Sequence, residues 1–140
     1  MLNFSLNSSF DNLKQFLANK QLLIEKSRRE IAQTLKEEMK QEIKNLLNIP
    51  VSKNGGKIVR SRALEAPRKE SGTLQNSVDS FVEQKGQNIT ITVFCSDSAP
   101  YALYLEYGSA KTAPRPFMLP TLNKYSLILK EEIRALGKAL

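Results

Sequence analysis

Asn88-Ile89-Thr90-Ile91-Thr92-Val93-Phe94-Cys95 alternates between side-chain types. Ile89, Ile91, Val93 and Cys95 fall on one side of an extended chain, with Thr90, Thr92 and Phe94 on the other. That is the pattern of a strand with one buried face. Lys85-Gly86-Gln87-Asn88 supplies a turn just before it, so residues 74–95 read as an antiparallel β-hairpin. A lone two-stranded hairpin is marginal in water. Its apolar face needs a cover, and both flanks of the sequence offer one.

Upstream, residues 9–48 read as helical. Ile24, Ile31, Leu35, Met39, Ile43 and Leu46 recur every three, four or seven residues, with charged residues between them. Lys26 and Glu30 stand four apart and can pair on the wet face. The segment from Gln21 to Asn48 alone would be about 40 Å long at about 1.5 Å per residue. A helix of that length outruns a compact domain, so part of its apolar stripe is expected to meet a sheet or a neighbouring chain. Before it, Leu2-Asn3-Phe4-Ser5-Leu6 alternates and reads as a short strand over residues 2–6. Ser8 or Ser9 is placed to cap the helix. Downstream, residues 117–139 read as a closing helix with Leu119, Leu122, Leu127, Ile128, Leu129, Ile133 and Leu136 on its apolar face. Pro120 is tolerable in its first turn.

Two segments remain. Residues 49–73 carry Pro50, Gly55, Gly56, Pro67 and Gly72, and read as a long loop. Within it Lys53, Lys57, Arg60, Arg62, Arg68 and Lys69 face a single acid, Glu65, between positions 53 and 69. Residues 100–108 form an aromatic segment with Tyr101, Tyr104 and Tyr107, readable as a strand or a short helix that Gly108 ends. The order of elements predicts one α+β domain over residues 1–140, with a long N-terminal helix and a C-terminal helix packed on a small antiparallel β-sheet.

Composition narrows the function. The 140 residues carry a formal net charge of +7, which favours nucleic acid, an anionic surface or an acidic protein as partner. No apolar run approaches the roughly 20 residues of a membrane span, so no membrane partner is expected. The opening MLNFSLNSSF lacks the basic start and apolar core of a signal peptide. The single cysteine, Cys95, excludes an intrachain disulfide and a thiolate metal cluster, and suits a reducing compartment. With no histidine, the chain lacks the commonest general base and metal ligand and cannot build a Ser–His–Asp or Cys–His device by itself.

Lysine and carboxylate chemistry stay open, yet Glu37-Glu38 and Glu131-Glu132 lie on amphipathic helices, where a solvated face is the ordinary reading. Gly55-Gly56-Lys57 lacks the rest of a phosphate-binding loop and reads as a turn. The reading is therefore not an enzyme, with no cofactor and no metal. The basic loop has three readings, ranked in this order: docking on an acidic protein surface, a solvated flexible loop, and contact with nucleic acid phosphates. It contains no aromatic residue, so base stacking has no support there.

Three motifs in order carry a family resemblance. Ser61-Arg62-Ala63-Leu64-Glu65-Ala66-Pro67-Arg68-Lys69-Glu70-Ser71-Gly72-Thr73-Leu74 comes first, followed by Ser77-Val78. Pro100-Tyr101-Ala102 then leads to Leu105-Glu106-Tyr107-Gly108-Ser109. Arg115-Pro116-Phe117-Met118-Leu119-Pro120 opens the last helix. Together these resemble the head–tail joining and tail-completion (neck) family of tailed phages, in particular the gene-ten-type tail component of lambdoid HK-type phages. Leu64 stands where that family commonly has glycine, and Ser71 and Ser109 replace threonines.

The resemblance implies a structural virion protein forming a ring with copies of itself, six in the virion, made in the host cytoplasm and placed in the neck. Its further partners would be a head-closure or connector protein and a tail-terminator or tail-tube protein, with DNA passing through the lumen without sequence-specific contact. The expected subunit contacts are the long helix and Tyr101, Tyr104, Glu106, Tyr107, Arg115 and Phe117. Lys53, Lys57, Arg60, Arg62, Arg68 and Lys69 are expected to dock the axial neighbour. Glu106 beside Gly108 is also suited to anchor a turn through backbone hydrogen bonds, and Phe117 to pin the last helix against the sheet. The rival expectation is a basic nucleic-acid-binding accessory protein using the 53–69 loop.

Overall fold

The computed structural model describes residues 6–139. The chain is α+β, built around one helix, α1 (Leu6–Leu46), of 41 residues. Its length is about 60 Å at 1.5 Å per residue. The expected strand over residues 2–6 lies outside the described residues except for Leu6, which already belongs to α1. Ser8 and Ser9 therefore sit inside the helix rather than at its start. No glycine or proline interrupts α1, and it runs through Asn19 and Lys20 without a break.

Two short strands, β1 (Ser52–Asn54) and β2 (Lys57–Val59), pair antiparallel in what the sequence presents as a structureless loop. Gly55 and Gly56 connect them with φ +58° and +82°, the paired positive φ angles that match a two-residue turn to the twist of its strands. A one-turn helix, α2 (Thr73–Ser77), then precedes β3 (Val78–Lys85) and β4 (Asn88–Cys95). The hairpin thus begins at Val78, with Thr73–Ser77 helical instead of extended. β3 and β4 pair from Val78↔Cys95 to Lys85↔Asn88. This register puts Val78, Val82, Ile91, Val93 and Cys95 on the face against α1, as the alternation predicts. On the opposite face Phe81 and Phe94 meet edge to face at 5.7 Å and stay partly exposed. The chain closes with α3 (Ala102–Tyr107) and α4 (Leu119–Ala139).

The core lies under the C-terminal half of α1. Ile43 and Leu47 pack with Val78 and Phe117, all at 2% exposure or less. Further along, Leu35 and Met39 pack with Tyr125 of α4, and Val93 touches both clusters. Lys124 pairs with Glu42 to tie α4 to α1 at the surface. Gln75 donates to the Lys44 carbonyl at 2.9 Å and to Asn48 Oδ1 at 3.2 Å, satisfying acceptors at the end of α1.

Burial, followed by the neighbouring Glu42 and Glu38 carboxylates, pushes the Tyr125 hydroxyl up to about 12 from 10. Above pH 10 the unfolded chain loses this proton while the folded chain keeps it. The unfolded state then binds fewer protons, so stability falls as pH rises from about 10 to about 12. Denaturant midpoints across that interval should decline, and Tyr125→Phe should flatten the slope.

Candidate functional site

Residues 99–119 fold into a corner against the end of α1. Ala102 and Leu105 of α3 turn toward the core beside Phe117, while Leu103, Tyr104 and Tyr107 face outward. Tyr101 is 42% exposed, Tyr104 61% and Tyr107 74%, so the three tyrosines expected at a contact surface are available to one. Leu103, at 61%, belongs with them and was not among the expected contact residues. Its signal in the sequence was its spacing four residues before Tyr107, which places the two on one helical face.

Glu106 and Phe117 do something else. The Glu106 carboxylate accepts the backbone N–H groups of Phe117 (2.8 Å), Met118 (2.9 Å) and Leu119 (2.8 Å). These are the unpaired donors at the start of α4, and a carboxylate there also suits the helix dipole. The turn-anchoring role read from the sequence is therefore the one Glu106 fills. Phe117 is 1% exposed and wholly inside the subunit. As a contact with a neighbouring subunit it is corrected: the residue pins α4 to α1 and the sheet.

Between α3 and α4 the chain reverses tightly, with Ser109 N–H to Thr112 O at 2.8 Å and Arg115 N–H to Leu105 O at 2.6 Å. Gly108 (φ +78°, ψ 176°) sits in a region essentially reserved for glycine. A Cβ there would also lie 2.9 Å from both Thr112 O and Pro114 N, backbone atoms that cannot yield.

The basic segment is stitched down rather than loose. Val51 N–H bonds Lys69 O at 3.0 Å and Lys69 N–H bonds Ile49 O at 2.7 Å. Arg60 pairs with Glu70, Arg68 lies 3.9 Å from Glu65, and Lys69 donates to Asn48 Oδ1 at 3.2 Å. Half of the six cations are thus engaged within the subunit. Lys53 and Lys57 lie on the β1–β2 ribbon, and Arg62 just beyond it; their side chains are exposed, with no ion pair among the described residues. In the ribbon Lys53 pairs with Ile58 and Asn54 with Lys57, so the two lysines point to opposite faces.

Leu64 occupies a turn closed by Glu65 N–H to Arg62 O at 3.2 Å, with φ +68°. That left-handed conformation costs a leucine about 1–2 kcal/mol, and glycine little. Leu64 is 72% exposed, so its side chain contributes little packing. Leu64→Gly should raise the urea midpoint, with a net gain of up to about 1 kcal/mol after glycine's extra freedom in the unfolded chain.

A cavity of about 250 Å³ lies between this segment and the corner. Arg60, Ser61, Arg68, Lys69 and Arg115 line it, so the structure brings Arg115 to the basic segment. No spacing in the sequence joins them; the link is tertiary, through Leu64 N–H to Pro114 O at 2.9 Å.

The Cys95 thiol is pushed up by burial, with a Ser77 hydrogen bond opposing and Glu106 adding to the shift, which disfavours the reactive thiolate. Among the described residues no group of three cysteine or acidic side chains could hold a metal ion, and no helix is long and apolar enough to cross a membrane.

A further exposed apolar surface lies elsewhere. Leu13, Leu17 and Ile24 of α1 continue the helical stripe of Ile31 and Leu35, yet each is at least 37% exposed. Below them an open apolar groove of about 340 Å³ runs between α1, β4 and α4, lined by Ile31, Ile91, Leu122, Leu129 and Ile133. No family model, curated protein or solved structure matches this chain.

Proposed function

We propose that this chain is a non-catalytic assembly subunit of a tailed-phage neck, joining copies of itself into a ring between the head connector and the tail. One observation supports it most. The same subunit carries an exposed apolar stripe on the α1 overhang and an open apolar groove at the other end of that stripe. A head-to-tail interface needs two different surfaces on each copy, and repeats until the rotation closes. Scattered exposed leucines are ordinary, but a run in helical register with a buried core stripe marks an interaction face. The outward Tyr101, Tyr104 and Tyr107 add a second face with an interface composition. The assignment to a phage neck, with six copies, rests on the three ordered motifs and the long helix before them.

The test is the mass of the purified full-length chain and its content in virions. A ring-sized particle, in solution or in virions, is the expected result. Leu17→Asp with Ile24→Asp should abolish association while leaving the unfolding midpoint nearly unchanged, because both side chains are already exposed. A stable monomer absent from virions would sink the proposal.

The unpaired Lys53, Lys57 and Arg62 favour a second reading, a nucleic-acid-binding accessory protein. It requires DNA binding that weakens steeply with salt and disappears when these three residues are neutralised.

A further inference from the structure

We infer that the cavity between the basic segment and the aromatic corner is a carboxylate-binding pocket that receives an acidic side chain of a partner protein. Four cationic side chains, Arg60, Arg68, Lys69 and Arg115, line it against one carboxylate, Glu70, which is already paired with Arg60. Two of its polar groups are buried without a protein partner: Ser61 Oγ, on a residue 5% exposed, and Arg115 Nε. Buried donors are almost always satisfied, so an unpartnered hydroxyl and guanidinium N–H on two residues that line the cavity call for an acceptor. A guanidinium edge and a hydroxyl are matched by a carboxylate, which accepts through two oxygens.

The rest of the wall decides between anions. Leu47, Leu74 and Leu105 give the cavity an apolar floor, which suits the methylene stem of a glutamate or aspartate. At about 250 Å³ the cavity is smaller than ordinary small-molecule pockets and fits one side chain. The site is also preformed. Lys69 and Gln75 share Asn48 Oδ1 as acceptor, and the backbone bond from Arg115 N–H to Leu105 O fixes the chain at Arg115. This deepens the docking role proposed above, on which it rests for the ligand being a protein.

The experiment is an NMR titration of the isotopically labelled full chain with three probes: N-acetylglutamate amide, its uncharged glutamine counterpart, and inorganic phosphate. The glutamate probe should shift the Arg115 Nε–H and the backbone amides of Ser61 and residues 68–72 saturably, and the glutamine probe should not. Ser61→Ala and Arg68→Gln, both compatible with the fold, should each weaken binding about tenfold. Arg115→Gln should abolish it if its spectrum stays native. Equal shifts with glutamine, no saturable shift at these positions, or shifts with phosphate alone would each overturn the proposal, the last pointing to a phosphate-bearing partner. The mass and virion-content measurements read the ring separately: a monomer absent from virions but with a working pocket would overturn the ring alone, and a ring without glutamate binding would overturn the pocket alone.

Discussion

Phe117→Ala is expected to destabilise the folded chain by about 4 kcal/mol, read as a drop in the urea midpoint at unchanged slope. Phe117 is 1% exposed and packs against Ile43, Leu47 and Val78, which are equally buried. These residues come from α1, β3 and the lead into α4, so the ring is where the three meet. Truncation removes the apolar surface of the ring and leaves a cavity that rigid neighbours cannot fill. Ile43 is held by α1, Leu47 by its N–H bond to Ile43 O at 3.0 Å just past the helix end, and Val78 by its ladder with Cys95. Phe117→Leu keeps much of the volume and should cost about 1 kcal/mol. A loss below about 1 kcal/mol for the alanine variant would mean that the α4 start is not anchored as described.

Glu106→Ala should cost about 3 kcal/mol, the second largest loss expected of a single side chain here. One carboxylate serves three backbone donors at 2.8, 2.9 and 2.8 Å. Hydrogen bonds to charged groups contribute about 1.5–3 kcal/mol each when the donors are buried. The Leu119 donor lies at the exposed end and regains water, so the sum falls well short of three full bonds. Glu106→Gln keeps one acceptor oxygen and should lose about half as much. Amide exchange separates this from a loss of general packing. Phe117, Met118 and Leu119 should lose protection in Glu106→Gln before the Ile43 and Val78 amides do.

What could be read from the sequence, and what could not, follows from the range of the forces involved. The α1 periodicity from Ile31 onward and the alternation of Ile89, Ile91, Val93 and Cys95 are local signals set by which face is buried, and the structure agrees with both; on α4 it does not, since Leu119, Leu122, Leu127 and Ile133 stay exposed while Thr121 and Tyr125 are buried. Glu106 was legible because a carboxylate two residues before a glycine, with prolines following, implies free backbone donors nearby. The β1–β2 ribbon leaves one cue in the sequence, the turn signal Asn54-Gly55-Gly56. Its strands have three residues each and are exposed on both faces, so no alternation marks them. The sequence suits Phe117 both as a pin and as a contact; only tertiary packing separates the two. The cavity was invisible because Arg115 and Ser61 line it from distant segments tied by Leu64 N–H to Pro114 O, a bond between backbone atoms that no side-chain pattern records.

The three bonds onto one carboxylate also govern how load passes through the molecule. If a neighbouring subunit grips Tyr104 and Tyr107, a tug on that edge reaches Glu106 within one turn of α3. From there it is shared among three attachments to the root of α4, which must all yield before the edge can swing away. The tyrosine edge and α4 therefore travel as one stiff piece, and in the proposed ring such tension would be handed to the Phe117 core instead of being absorbed in the 109–116 bend.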